Sequence, residues 1–569
     1  MTKSGISAFL ITLLATNLTF AAEATEPAAM GPRAGLAVID WVIVFLYASG
    51  TICLGWYFSR KQSTTEEYFV GSGSMNPILI GVSLFATLLS TITYLSTPGE
   101  SLGKGPVYFT SLLAMPITFY IVGFILLPVY MRQKVTSAYE LLEAKLGLSI
   151  RMLGACMFVL LRLVWMSLLI YMTSKAIVEM TGLADRWIPV VALITGTVAV
   201  VYTSLGGLRA VVITDAMQTI LLYGGAVTVI AMVTWNMGGF GWFPTKWDPQ
   251  WDKQPILPEN ARTRLTVLGA ILNALIWSVC TAGGDQTSVQ RFMATKDAKS
   301  ARLALATQLI VGLIVSLTLA LVGFALLGYF KEFPEQIPAG LDLKHDADKM
   351  FTNFIAFNLP PGVSGFVVAA MFAAAMSSID SGVNSITAVV MTDGLDRFGR
   401  KPRTEKEHVR ISRWMALGIG LLVVICSSAM GGIPGNYTAV TQKTSNLLTT
   451  PIFGLFFFAL FVPFASPKGV WIGAICGTAT AVLVAFSGPI VFALYLWFDI
   501  DPAIFGTEVV ELLNKETGEM ERSVPDPISF QWISLAAISV NIVTGCIASK
   551  MFPKSKTPST PGQVETPSA

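Results

Sequence analysis

Apolar residues gather into long, nearly uncharged runs that recur along the whole chain, with polar residues collected in short loops between them. Each run reaches the roughly 20 residues that a helix needs to cross about 30 Å of hydrocarbon. In lipid every backbone N–H and C=O must be satisfied within its own segment or around a closed barrel, and these runs lack the two-residue alternation of barrel strands. An all-α membrane bundle is therefore predicted. Its spans fall near 36 to 58, 77 to 97, 107 to 130, 152 to 180, 187 to 204, 211 to 236, 265 to 290, 303 to 330, 363 to 392, 412 to 431, 438 to 463, 469 to 497 and 529 to 550, thirteen in all. Ser487-Gly488-Pro489 interrupts one of these runs, and a hairpin there would make fourteen.

Composition agrees with the pattern: 53% of the 569 residues are hydrophobic and only 13% charged, with a mean hydropathy of +0.64. No soluble core needs so much apolar sequence. Basic residues set the orientation, because short cytoplasmic loops retain Lys and Arg. With the first span entering from outside, Arg60, Lys61, Arg132, Lys134, Lys145, Arg291, Lys296, Lys299 and Arg302 lie in inner loops, followed by the dense loop from Arg397 to Arg413. Thirteen spans also place Lys550, Lys554 and Lys556 in the cytoplasm; fourteen would not. The expected location is the inner (plasma) membrane, multi-pass, with an extracytoplasmic N-terminus and a cytoplasmic C-terminus. Lys3, the apolar stretch from Ile6 to Phe20 and Ala22-Glu23-Ala24 read as a signal peptide over 1–24, or as an uncleaved extra span. Residues 25–35 are expected to form a flexible extracytoplasmic segment, 36–550 the membrane-spanning domain, and 551–569 a disordered cytoplasmic tail.

Enzyme chemistry has little to work with here. Only two histidines occur, His345 and His408, both in loops by this reading and without ligand-spaced partners, and all six cysteines lie inside apolar runs. A net charge of +3, spread over separate loops, offers no nucleic-acid patch.

Ionisable groups inside a span cost several kcal/mol unless they face a partner or water, and so mark candidate sites. Arg162, Lys175, Asp215, Asp285, Asp380 and Lys443 are such groups, with Lys175 near enough to a span end to snorkel. Ser377, Asp380, Ser381, Asn384 and Ser385 recur at helical spacing, so hydroxyl, carboxylate and amide share one face. That face is either a polar packing seam or a site for a hard monovalent cation, which favours a few oxygens over a stack of carboxylates. Thr87, Ser90, Thr91 and Tyr94 form a second polar face, followed by Thr97-Pro98-Gly99-Glu100. Unwinding there would present backbone carbonyls to an ion. Thr281-Ala282-Gly283-Gly284-Asp285-Gln286 is a second breaker, and the spacing of the two suggests inverted five-helix repeats at about 77–236 and 265–463.

Four stretches together resemble the sodium:solute symporter family: Tyr202 to Gln218, Gly284 to Arg302, the Ala-Ala-Ala-Met-Ser-Ser-Ile-Asp-Ser-Gly-Val-Asn-Ser run from Ala373 to Ser385, and Ser466 to Gly477. The resemblance covers about 36 to 550 and implies the inverted-repeat fold first associated with the leucine transporter. It implies a sodium site built from the carbonyls of Ala86, Leu89 and Ala374 and the hydroxyls of Ser377 and Ser378. It further implies a second sodium site at Asp215 with Ser378, Asp380 and Ser381. Asp380 departs from members with a small neutral residue at that position. Its carboxylate would strengthen the second site, carry a proton, or pair with a basic neighbour. The implied solute cavity is lined by Ser90, Thr93, Arg162, Trp165, Asn273, Trp277, Asp285, Gln286 and Lys443. Aromatics beside hydroxyls suit a sugar, and Arg162 or Lys443 suits an organic acid.

The expected activity is therefore sodium-coupled symport of a small organic solute into the cytoplasm by alternating access, with sodium as the only cofactor. Proton coupling and a transporter-like sensor are the alternatives. A short Pro/Ser/Thr tail after the last span favours transport over sensing, and no repeated filter element suggests a channel.

Overall fold

The computed structural model describes residues 35–59, 68–69, 71–132, 137–400, 402–432, 437–513 and 520–553. The signal peptide reading at 1–24 and nearly all of the tail at 551–569 lie outside these residues. In chain order the helices are α1 (Val38–Ser59), α2 (Pro77–Leu88), α3 (Thr91–Lys104), α4 (Pro106–Met131), α5 (Glu140–Leu146), α6 (Leu148–Thr181), α7 (Asp185–Ser204) and α8 (Gly207–Asn236). They continue as α9 (Val267–Gly284), α10 (Gln286–Met293), α11 (Ala298–Glu332), α12 (Ala347–Asn353), α13 (Val363–Asp396), α14 (Glu405–Ser427), α15 (Tyr437–Phe461), α16 (Pro467–Ala485), α17 (Ser487–Phe498) and α18 (Phe530–Met551). Between α17 and α18 stands a two-stranded antiparallel hairpin, β1 (Val510–Leu513) and β2 (Met520–Ser523), with Val510 opposite Ser523.

Twelve helices are long and apolar enough to cross a membrane, and α2 with α3 make a bent thirteenth, among the described residues. The 469 to 497 run breaks at Phe486, leaving α17 too short to count as a span.

α13 is the axis of the bundle. In its most apolar window 89% of residues are buried, against 22% for α1, so α13 is enclosed by protein on all sides while α1 lies at the periphery. Such enclosure lets a polar stripe exist at membrane depth. The N-terminus of α13 is capped from another helix: the Asp40 carboxylate on α1 accepts the Gly362 and Gly365 N–H groups, each at 2.7 Å. An anion at a helix N-terminus satisfies free donors and complements the dipole. Asp40 is 1% exposed, an intramembrane carboxylate with a structural task.

α7 runs into α8 through Gly207, whose φ of 59° and ψ of 176° only glycine adopts readily. α16 packs on α18 through Gly469, Gly473 and Gly477, spaced four apart on one face. That spacing permits close approach of two membrane helices.

Two sequence expectations are corrected. Arg291 is not a loop residue: the chain re-forms a helix immediately after the Gly283-Gly284-Asp285 break, so Arg291 falls on α10 and is fully buried. His408 likewise lies on α14, 3% exposed, with Nε2 3.1 Å from the Asp396 carboxylate.

A Cβ on Gly473 would meet the Asn541 carbonyl oxygen at 2.7 Å. Gly473→Val is expected to lower stability by about 1–3 kcal/mol, whereas Ile475→Val, at a position 59% exposed, should be silent. Thermal unfolding of both purified variants checks this; equal melting temperatures would mean the helices separate freely.

Candidate ion and solute site

Two helix breaks meet the polar stripe of α13. The first divides α2 from α3, where Leu89 (φ −81°, ψ 125°) and Ser90 (φ −115°, ψ 165°) are extended and the axes bend by 71°. Ser90 caps the new helix, its hydroxyl accepting the Thr93 N–H at 3.2 Å. The helix then continues through Pro98, so the Thr97-Pro98-Gly99-Glu100 stretch is not the point of rupture. The second break divides α9 from α10 at Asp285 (φ −89°, ψ 120°), which caps α10 by accepting the Thr287 N–H at 2.8 Å.

The two breaks differ in what meets their freed carbonyls. At the second, the Tyr130 hydroxyl donates to the Gly283 carbonyl and the Tyr139 hydroxyl donates to that of Gly284 at 3.3 Å. Aromatic side chains have thus satisfied the C-terminal end of α9. At the first break, the Ser378 hydroxyl on α13 lies 3.1 Å from the Thr87 carbonyl and 3.0 Å from that of Leu89. One hydroxyl facing two carbonyls leaves oxygen lone pairs in excess of donors, the chemistry a bare cation completes. Ala86 and Ala374 flank this point and are 5% and 2% exposed. Ser377, next along α13, donates to Asp215 Oδ1 at 2.6 Å and so connects the break to a buried charge cluster.

That cluster joins α2, α7, α8, α10 and α13. Asp215 Oδ2 accepts from Ser83 at 2.5 Å and lies 3.4 Å from Arg291 Nη2. Arg291 Nε donates to Ser83 at 2.9 Å, Nη1 to the Thr287 carbonyl at 3.2 Å, and Nη2 to Ser381. Asp380 accepts from the Tyr202 hydroxyl, and Ser381 lies 2.9 Å from Thr87. Asp215, Asp380 and Arg291 are each 0% exposed. Asp215, Asp380 and Ser381 thus lie in one cluster. Arg291, Ser83 and Tyr202 are the partners the sequence did not assign. The signal for Arg291 was the helix resuming after its glycine break.

The residues expected to line the cavity come from α3, α6, α9, α10 and α15 and from the residues that cap α3 and α10; α15 packs on α3, α6 and α9. The Arg162 guanidinium on α6 pairs with Asp285 at the second break and leaves Nε without a partner. Asn273 donates to Gln442 at 2.9 Å and its Oδ1 has no donor partner. Trp165 is buried and Trp277 half-buried. Lys443 reaches Asp526, beyond the hairpin, at 2.6 Å. Gln286 is engaged elsewhere, its side-chain oxygen accepting the Ala138 N–H at 2.7 Å ahead of α5. Near these residues Glu100 on α3 binds Arg264 through two 2.7 Å contacts and accepts from Thr438 on α15 at 3.1 Å.

Interrupted helices around an enclosed polar helix define a secondary transporter of the leucine-transporter type. Residues 68–477, well over half of the chain, match the sodium:solute symporter family. Among relatives, the sodium/sialic acid symporter SiaT of Proteus mirabilis is 26% identical over 484 residues, covering 80% of this chain and 91% of that protein. The sodium-coupled monocarboxylate transporter 1 of Homo sapiens is 27% identical, covering 80% of this chain and 73% of that protein. The sodium-dependent multivitamin transporter of Oryctolagus cuniculus is also 27% identical, covering 78% and 70%. In fold, the chain superposes on the substrate-bound outward-open structure of a Na+-coupled sialic acid symporter with a TM-score of 0.70 at 23% identity, covering 91% of this chain and 99% of that one. The chain belongs to the sodium:solute symporter family and is a multi-pass, sodium-coupled symporter.

The far end of α13 is tethered by a network of ion pairs. Glu143 on α5 binds Arg397 at 2.5 Å and Arg151 at 2.7 Å, and Arg151 also holds Asp393 at 2.5 Å. Hydrogen bonds from Arg397 and Arg151 hold the Glu143 carboxyl well below its ordinary 4.5, at about 2. A depressed acid stabilises the fold above its unfolded pKa and loses that contribution as pH falls through the folded value. Melting temperature should therefore decline between about pH 4.5 and pH 2, and Glu143→Gln should flatten that decline. An unchanged slope in the variant would assign the acid sensitivity to other groups.

Proposed function

We propose that one sodium ion binds where the carbonyls of Ala86, Leu89 and Ala374 approach the hydroxyls of Ser377 and Ser378, and that its binding drives inward symport of a small organic acid or acidic sugar. The observation that carries this reading is the Ser378 hydroxyl poised within 3.1 Å of two carbonyls freed by the α2–α3 break. The α9–α10 break has the same backbone form but is already closed by two tyrosine hydroxyls, so it is the poorer ion site. Because the cage joins α13 to a hinge between half-helices, an ion there fixes the angle of α3 and with it Ser90 and Thr93. Alternating access then follows from differential affinity: the ion favours the arrangement that completes its cage. The two matched breaks support inverted five-helix repeats, and the basic loops support an extracytoplasmic N-terminus and cytoplasmic C-terminus in the plasma membrane. Each sodium entering down the membrane potential supplies about 2.3 kcal/mol per 100 mV, besides its concentration gradient.

For the solute, the buried Arg162–Asp285 pair supports a carboxylate. A solute carboxylate can replace Asp285 on the guanidinium by a charge-assisted bidentate contact. Trp165, Trp277, Asn273 and Lys443 would then contact the rest of the molecule. Relatives named for sialic acid and for monocarboxylates support the same class.

Proteoliposomes given a sodium gradient should accumulate labelled sialic acid or a short monocarboxylate, and should not do so with potassium or proton gradients of equal size. Equal uptake with protons would transfer the coupling to the alternative ion. Ser377→Ala with Ser378→Ala should raise the sodium concentration for half-maximal uptake about a hundredfold, as expected for two lost contacts of roughly 1.4 kcal/mol each; an unmoved sodium dependence would displace the ion from α13. Arg162→Gln should reduce uptake of the carboxylate at least tenfold while leaving sodium binding intact. Uptake of the corresponding amide by the unaltered protein at the same rate would remove the carboxylate assignment.

A further inference from the structure

We infer that the guanidinium of Arg291 occupies the position of a second cation, so that this symporter binds a single sodium ion per chain. The inference rests on the cage proposed above and concerns the neighbouring pocket formed by Asp215, Asp380 and Ser381.

That pocket offers what a second sodium would require: carboxylate and hydroxyl oxygens from α8 and α13, all enclosed by protein. The oxygens face an arginine instead. Nη2 of Arg291 binds the Ser381 hydroxyl and lies 3.4 Å from Asp215 Oδ2, while Nε reaches the same carboxylate indirectly, through Ser83 at 2.9 Å and then 2.5 Å. The backbone holds Arg291 in place as well, since Nη1 donates to the Thr287 carbonyl one turn back on α10 at 3.2 Å. The side chain is 0% exposed. A guanidinium has five fixed donors and keeps its charge when buried. It therefore neutralises carboxylates as an ion would, without exchanging with solvent.

With both carboxylates ionised, the charge balance favours the same number. Two carboxylates, Asp215 and Asp380, share the enclosure with one guanidinium, which leaves one negative charge in a low-dielectric interior where an uncompensated charge is expensive. Ser377 hydrogen-bonds Asp215 at 2.6 Å and is also a ligand of the proposed cage, so the residual charge acts on that cage directly. One sodium makes the whole assembly neutral; a second would leave it positive. Asp380, with its hydroxyl partner Tyr202, is then the group that makes the sodium site attractive to a cation once Arg291 has compensated Asp215.

The test counts ions and needs no solute. Purified protein in detergent is titrated with radioactive sodium and the bound ions per folded chain are measured. The unaltered protein should saturate at one. Arg291→Gln exposes two carboxylates and should saturate at two, with cooperative binding. Combining Arg291→Gln with Asp380→Asn should restore one. Asp380→Asn alone should keep one ion at affinity lowered about tenfold. Two ions on the unaltered protein, or one on Arg291→Gln, would overturn the inference and leave the α2–α13 cage standing. No bound sodium on the unaltered protein would overturn the cage itself. The count on the unaltered protein decides even if the Arg291 variant fails to fold.

Discussion

A backbone carbonyl released from a helix inside a membrane must find a partner there, because no water is at hand to supply one. The functional architecture follows from how this chain meets that requirement at two places. At Asp285 the partners are tyrosine hydroxyls, and the break is a finished structural joint. At Leu89 the partner is one serine hydroxyl shared by two carbonyls, and the joint stays open to an ion. Similar dihedral angles thus yield a fixed corner in one case and a binding site in the other.

The polar helix that serves the first break can exist only because everything else shields it. α13 carries serines, Asp380 and Asn384 through the centre of the bundle, and its N-terminus is held by a carboxylate from the peripheral α1. At its other end, Arg151 and Glu143 hold it through ion pairs. Between these anchors, hydroxyls on consecutive turns reach in different directions: Ser377 toward Asp215, Ser378 toward the broken helix, Ser381 toward Arg291. The same helix therefore links ion, hinge and charge cluster, so a change at one is felt at the others.

Much of this was legible in the sequence because it depends on local rules. Span length, the spacing of Ser377, Asp380 and Ser381, and the glycine pair before Asp285 announce helices, a polar face and a break through one-dimensional periodicity. The location of the first break was not legible, because Pro98 and Gly99 look like stronger breakers than Leu89 and Ser90. Gly323 packs closely against the Pro98 carbonyl, and the helix runs unbroken across the proline. Arg291 was misplaced because charge near a span end normally marks a loop. Only its three-dimensional encounter with Asp215, 76 residues away in sequence, reveals it as an interior group. Asp40 was overlooked for the same reason, its role being to cap a helix 322 residues downstream. The hairpin of β1 and β2 had no signal in the apolar pattern, since it lies outside the bundle.

The glycine joining α7 to α8 has a mechanical consequence. With no slack loop there, the two segments behave as a cranked lever whose only soft joint is one pair of dihedral angles. Asp215 sits eight residues beyond that joint, about 12 Å along the arm. Any tilt of α7 in the bilayer would therefore be delivered as a sideways displacement of the carboxylate that Ser377 and Arg291 both grip, turning helix inclination into a force on the ion-binding apparatus.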